Sequence, residues 1–459
     1  MKRGTIIIFL IFLLIIAGVA YWQFFVRGTS TGSNGGTTTS QPGFVPFNRD
    51  NTPTNSGSGS QQQTNTSNTA SSTPISGKVA KIPTLRLLSS TPVGGYGASS
   101  TPTVTIKATK LASSTQILGT THIRWVDRGR GNIFEALGNT LEIKTLSNTV
   151  VPKIYESTWN KNLTAFMALS VSGEDYSSMS GVYAELKPRV MPKVATSTAS
   201  SSPQTDSQNA TAGSLTPYEL KGKNLPENIV AYAVSPKKDR VFMFINNNGT
   251  GVGYTSNFDG SSPAQIFTTP ITQVNVEWPS DNIIAITTKG TADESGFLYF
   301  VDAKTGVWRK ILGPLNGLST KVSADSKYVF ASMTGSNENI VTRIYNVATG
   351  KRNDAVINTL ADKCVWGNFY KDIVYCAVPS QPIKAVYPDD WYKGSISFID
   401  KIWQANAITG EVKLISSIID TSDRIVDAFN LGLDAKDDFL IFMNKNDLSL
   451  WSLDLVGGN

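Results

Sequence analysis

Histidine occurs once in this chain, at His122, and cysteine twice, at Cys364 and Cys376. A single imidazole excludes metal sites built from several histidines and leaves a His-based triad with one candidate base. That candidate opens an apparent strand, His122 to Val126, where a histidine is more often structural than catalytic. Glycine-rich phosphate loops and D-x-D-x-D-G calcium loops are missing as well. The sequence therefore indicates no catalytic residue, no metal ligand and no cofactor. Basic charge is also scarce: the net charge is +6, and Lys2, Arg3 and Arg27, which flank an apolar N-terminal run, supply half of it. The remainder forms no phosphate-tracking stripe, which argues against nucleic acid as a partner.

Carboxylates adjacent in sequence are few and include Asp293-Glu294, Asp389-Asp390 and Asp437-Asp438. Neighbours on a strand point to opposite faces, so such a pair is not by itself a general acid and base. Asp293-Glu294 and Asp437-Asp438 fall in turns, where solvation is expected.

Only one long apolar run is present, Thr5 to Val26. Some 20 such residues cross the roughly 30 Å hydrocarbon core of a bilayer. Lys2 and Arg3 orient it with the N-terminus inside, which places the rest of the chain outside the cytoplasm. Tyr21, Trp22, Phe24 and Phe25 suit an aromatic belt at the outer interface. Gly18-Val19-Ala20 keeps a second reading open, secretion after cleavage of a signal peptide. No cysteine follows the apolar core, so a lipoprotein is excluded. Residues 1–27 thus read as a single-pass anchor in the cell membrane with the bilayer as its partner. Residues 28–77, rich in Ser, Thr, Gly, Asn and Gln, read as a disordered tether spanning about 40 Å.

From residue 78 to 459 the chain is organised by a repeat, best preserved between Val274 and Leu312 as VNVEWPSDNIIAITT and GFLYFVDAKTGVWRKIL. Short strands rich in Ile, Val, Phe, Tyr and Trp alternate with turns such as P-S-D-N and K-T-G, giving one four-stranded antiparallel unit. Related units recur every 40 to 60 residues or so, the spacing of propeller blades. Five run downstream of Ala231 and two diverged copies precede them, about seven in all. The last unit has three strands, Ala428 to Leu433, Phe439 to Asn444 and Leu448 to Leu453, and leaves an edge to cover. Pro83 to Ser90 matches an outer strand and is predicted to pair there, closing the ring. The fold class is all-β, a seven-bladed β-propeller closed by an N-terminal strand, with Ala195 to Ser214 (residues 195–214) a disordered insertion in blade two.

Cys364 and Cys376 flank a turn, Gly367 to Asp372, in blade six. On adjacent antiparallel strands they can face one another as a disulfide, the form an oxidising compartment favours; two buried thiols are the alternative. In the same blade the chain inserts Pro379 to Ser395, a long loop of the kind that carries binding residues. Tyr387, Asp389, Asp390, Trp391 and Tyr392 are its candidate ligand-binding residues, since aromatics beside carboxylates suit a sugar ring or a cationic group. The opposing reading is that the aromatics fold back as a plug on the propeller face.

With the S-P-K-K-D, P-S-D-N and S-A-D-S-K turns in view, the blades resemble TolB-type and WD40-like repeat propellers, although none ends in a standard Trp-Asp. LRLLSSTPVGGYGAS, HIRWVDRGRGNIFEA, LSNTVVPKIYESTW and YPDDWYKGSISF further resemble membrane-anchored propellers of candidate-phyla bacteria with small genomes. The resemblance implies fold, blade count and surface location and carries over no functional residue. The expected function is a binding or scaffolding module at the cell envelope that recognises a protein or a wall glycan. The competing expectation is an extracytoplasmic hydrolase or lyase acting on glycan or peptide, with Asp389 or Asp390 as acid or base. A deep axial pocket lined by carboxylates from several blades favours the enzyme; a flat face with an apolar patch favours the binder.

Overall fold

A computed structural model describes residues 82–457 apart from 102–103, 107–114, 118, 152, 173–177, 190–215 and 356. The N-terminal apolar run, the tether and the blade-two insertion lie outside the described residues. Seven four-stranded antiparallel sheets succeed one another along the chain as the blades of a propeller. Their innermost strands, from blade one to blade seven, are Val93–Ser100, Ile154–Trp159, Ile229–Val234, Val274–Ser280, Ser319–Val322, Cys364–Trp366 and Ala428–Leu433. A two-stranded hairpin, Val104–Ile106 with Thr115–Ile117, extends blade one between its first and second strands and is unmarked by any turn signal in the sequence.

The second strand of each blade explains the continuous apolar runs. Val241 to Phe244, Ile284 to Ile286 and Leu440 to Phe442 are all buried, because a neighbouring blade covers each face. Apolar side chains accordingly pack as layers between adjacent blades. Phe166 and Val126 share the layer between blades one and two, and Phe242 and Ile286 that between three and four. The layer between blades seven and one joins Ile441 and Leu450 to Ile123 and Trp125.

That last layer depends on the closing strand, Leu85–Ser89, which pairs antiparallel with Leu450–Asp454 through Leu85↔Leu453 and Leu87↔Trp451. Leu88, 2% exposed, drops into the layer, and the Arg86 guanidinium donates to the Leu137 carbonyl of blade one at 3.1 Å. The partner strand begins two residues later than expected because Leu448 adopts φ 58°, finishing a turn whose N–H returns to the Asn444 carbonyl. Asp437 corrects another expectation. Instead of being solvated it is 4% exposed, and it accepts the N–H groups of Asn368, Phe369 and Tyr370, tying blade seven to the blade-six turn.

Candidate functional site

The blade-six loop is packed down. Its residues Asp389–Lys393 form a short helix closed by Gly394 in the left-handed region, which glycine tolerates without a Cβ clash. Tyr387 and Trp391, at 5% and 4% exposure, join Ile340, Leu360 and Phe398 in a small apolar cluster. Asp389 accepts the Ala292 N–H at 2.8 Å, and Asp390 accepts the Val386 N–H at 2.9 Å. The Tyr387 carbonyl accepts from Thr334 Oγ1, and the Tyr392 hydroxyl donates to Asp362 at 2.6 Å. The loop thus reaches partners in blades four and five and in the connections that lead into blades six and seven. The five candidates stand together, but as a cap: Tyr387 and Trp391 turn inward, and both carboxylates already hold backbone N–H groups.

Beneath the cap lies a buried charge cluster. The Lys363 ammonium is wholly buried and donates to Asp400 and the Ala428 carbonyl, each at 2.8 Å, and to Asp427. Asp427 also accepts Trp391 Nε1, at 3.0 Å to Oδ2, and the Phe398 N–H, so the cap is fastened through it to blade seven. The ammonium sits 5.3 Å from the Trp391 ring centroid and 5.0 Å from that of Phe398, where the ring faces add cation–π attraction. Burial, only partly offset by Lys363, pushes the Asp400 carboxyl up to about 6.

The propeller axis holds a second set of charges, which sequence reasoning did not single out. A cavity of about 410 Å³ is lined by Glu156 of blade two, Tyr232 of blade three, Glu277 of blade four and Lys321 of blade five, with Lys238 from the first turn of blade three. Glu156 is open to water yet surrounded by protein, as expected of a group projecting into a narrow solvent-filled channel. That enclosure raises the Glu156 and Glu277 carboxyls above their ordinary values. The Lys321 ammonium is raised, mainly by Glu277 and despite its own burial, through attraction across space rather than contact. Asp362, which takes the Ser319 and Tyr392 hydroxyls at 2.6 Å each, contributes to the same field. Burial lowers the Lys238 ammonium.

The charged side chains of this lumen are largely unpaired: among the described residues Glu277 Oε2 accepts the Val322 N–H at 3.2 Å, while the Glu156 and Lys321 side chains make no ion pair and no hydrogen bond of ordinary geometry. The Tyr232 hydroxyl is enclosed and has no partner of ordinary geometry, although Glu156 is near enough to raise it further. The sequence signal for these groups was faint: polar residues at the centre of first strands, in Y-E-S-T-W, V-N-V-E-W and S-T-K-V.

Cys364 and Cys376 are directly opposed in register, with Cα atoms 4.1 Å apart, and are joined as a disulfide. His122 Nδ1 lies 3.1 Å from Glu135 Oε1, which also accepts Arg124 Nε at 2.7 Å. Arg124 continues to the Leu163 carbonyl, so the lone histidine belongs to a lattice tying blade one to blade two. Among the described residues no cluster of His, Cys, Asp and Glu has the arrangement of a metal site, and no helix is long and apolar enough to cross a membrane.

No family model matches the sequence, and no curated protein matches it. Solved structures do resemble its fold. TolB from Acinetobacter baumannii is 10% identical over 78% of this chain and 79% of its own, with a TM-score of 0.37. An oligogalacturonate lyase from Vibrio parahaemolyticus is 10% identical over 80% of this chain and 100% of its own, with a TM-score of 0.44. A putative TolB from Agrobacterium tumefaciens is 15% identical over 52% of this chain and 82% of its own, with a TM-score of 0.37. Likeness at this level concerns architecture alone.

Proposed function

We propose that the chain is a membrane-anchored binding module of the cell envelope, held outside the cytoplasm by Thr5 to Val26, whose propeller takes its ligand at the axial channel. The observation that carries this reading is the unpaired state of the lumen. Glu156, Glu277, Lys321 and Tyr232 converge from four blades, and among the described residues the one ordinary hydrogen bond their side chains make is that of Glu277 with the Val322 N–H. A fold retains such an enclosed, largely unpaired set only at a cost, and binding sites are where that cost is usual. The Cys364–Cys376 disulfide suits an oxidising, extracytoplasmic setting.

A second reading, a hydrolase or lyase acting on glycan or peptide, is favoured by the two raised carboxyls facing one cavity from different blades. Against it, neither glutamate is perturbed by the other, so they lack the mutual coupling of a close acid–base pair. Capture experiments separate the readings. The full chain in detergent micelles, immobilised, is exposed to fractionated envelope glycans and to solubilised envelope proteins, beside a Glu156→Gln, Glu277→Gln double variant. Capture by the wild type that the variant loses supports the binding module. Equal capture by both removes the channel from the function, and glycan or peptide products released by the wild type alone establish the enzyme.

A further inference from the structure

The axial cavity is not uniformly charged, and its polarity indicates what it would hold. Glu156, Glu277 and the unpartnered Tyr232 hydroxyl offer acceptors, while the Lys238 ammonium is contributed by the turn after Ile229–Val234 and stands at the end of the channel where the first turns of the blades gather. Lys238 reaches that place on a backbone held at φ 54°, fixed by its N–H to the Ser235 carbonyl at 2.7 Å. Among the described residues its ammonium has no ion-pair or hydrogen-bond partner. Lys321, between Glu277 and Asp362, already balances part of the acidic field. One ammonium donor entering from that end would satisfy Glu156 and the Tyr232 oxygen together. One anionic group trailing it would meet Lys238.

We infer that the axial cavity binds a small zwitterionic ligand, an ammonium group with a carboxylate or similar anion on the same molecule, with the ammonium at Glu156 and Tyr232 and the anion at Lys238. This rests on the binding reading above and names its ligand class. The ligand can be a free amino acid or the exposed end of a diamino acid carried on a wall peptide; both present the same pair of charges. A molecule of that kind fits within about 410 Å³ without displacing the cap. Because enclosure raises the Glu156 carboxyl, it ionises more fully as pH rises, and affinity for the ammonium rises with pH in the same direction.

The test is calorimetric titration of the full chain in micelles with glycine, 4-aminobutyrate and 6-aminohexanoate, with hexylamine and hexanoate as single-charge controls. The expected result is binding by at least one amino acid, roughly tenfold or more tighter than either control, because each charge is matched separately. Glu156→Gln and Lys238→Met should each weaken that binding by about tenfold or more without lowering the unliganded melting temperature. A single-charge control that binds as tightly as the best amino acid overturns the proposal, as does the absence of binding by all three. To separate sources, a soluble wall peptide ending in a diamino acid is then titrated; tighter binding than any free amino acid assigns the peptide-borne form. If channel-dependent capture from the envelope persists while every amino acid fails, the binding module stands and only its ligand class falls.

Discussion

Replacing Lys363 by Met removes the buried cation beneath the cap and leaves Asp400 and Asp427 facing each other's field in a dry interior. Both carboxylates and the lysine are essentially unexposed, so water cannot replace the lost charge. Removing one partner of a buried pair costs about 3–5 kcal/mol, since the desolvation already incurred by the other is no longer offset. With an unfolding entropy of about 2 cal/mol/K per residue over the roughly 380 residues of the propeller unit, that loss lowers Tm by about 4–6 °C. The pH dependence makes the prediction specific. Asp400 titrates at about 6 in the fold against 3.8 for an unperturbed aspartate. Across that window the native state keeps a proton the unfolded chain has released, so the Asp400 contribution to stability falls by about 3 kcal/mol as pH rises and levels off about one unit above pH 6. Lys363 is what holds Asp400 down to that value. Without it the carboxyl titrates higher, and the variant goes on losing stability above pH 6. Scanning calorimetry from pH 5 to 8 should show a deficit nearly constant up to pH 6 that widens beyond it by up to about 1.4 kcal/mol per unit. Lys237→Met, which breaks the exposed pair with Asp281, serves as a control and should leave Tm within measurement error at every pH. Parallel wild-type and Lys363→Met curves above pH 6 would refute the assignment of Asp400 as the responsive group, and a deficit no larger than the control's would refute the buried cluster.

The remaining predictions concern what holds the ring. Reducing Cys364–Cys376 opens a loop of 12 residues' separation, worth about 3 kcal/mol by chain entropy, so Tm should fall by about 3–4 °C with reductant or in the Cys364→Ala, Cys376→Ala variant. No shift would mean the bridge adds nothing to the paired strands. Gly95 sits at φ 150° with the Ser157 carbonyl oxygen 2.2 Å from where a Cβ would stand, so Gly95→Ala must part the inner strands of blades one and two. A loss above about 3 kcal/mol is expected by chemical denaturation, and a change below about 1 kcal/mol would contradict that close approach. Leu88→Ala should cost about 2–5 kcal/mol and speed amide exchange in Leu450–Asp454 ahead of the other blades; uniform exchange across blades would show that the closing strand does not limit ring opening.

Blade number and ring closure were readable because they follow from short-range physics. Turn residues recur at blade spacing, second strands are apolar on both faces, and PTLRLLSS has the pattern of an outer strand missing elsewhere. Pairing with the last blade followed once the ring had to close, while the register against Leu450–Asp454 is visible only in the structure. The hairpin of Val104–Ile106 and Thr115–Ile117 was not readable, since its strands are three residues each and no periodicity can establish over that length. Asp437 was misjudged for a related reason. Its turn looks like any solvated turn until blade six is laid beside it and supplies three N–H groups.

The candidate site divides along the same line. The blade-six loop stood out because its length and aromatic content are local properties, and the sequence offered both a plug and a ligand site; what it could not contain is Asp427, 36 residues beyond Trp391, whose carboxylate fastens the indole. The axial charges are harder still, since Glu156 and Lys321 are 165 positions apart and become neighbours only when five blades have been stacked in order. Each is one polar residue in an otherwise apolar first strand, which alone reads as a tolerated exception. Ring geometry turns such exceptions into a set, because every first strand borders the same axis. Asp362 links the two regions, taking a hydrogen bond from Tyr392 of the cap while it acts on Lys321 in the channel.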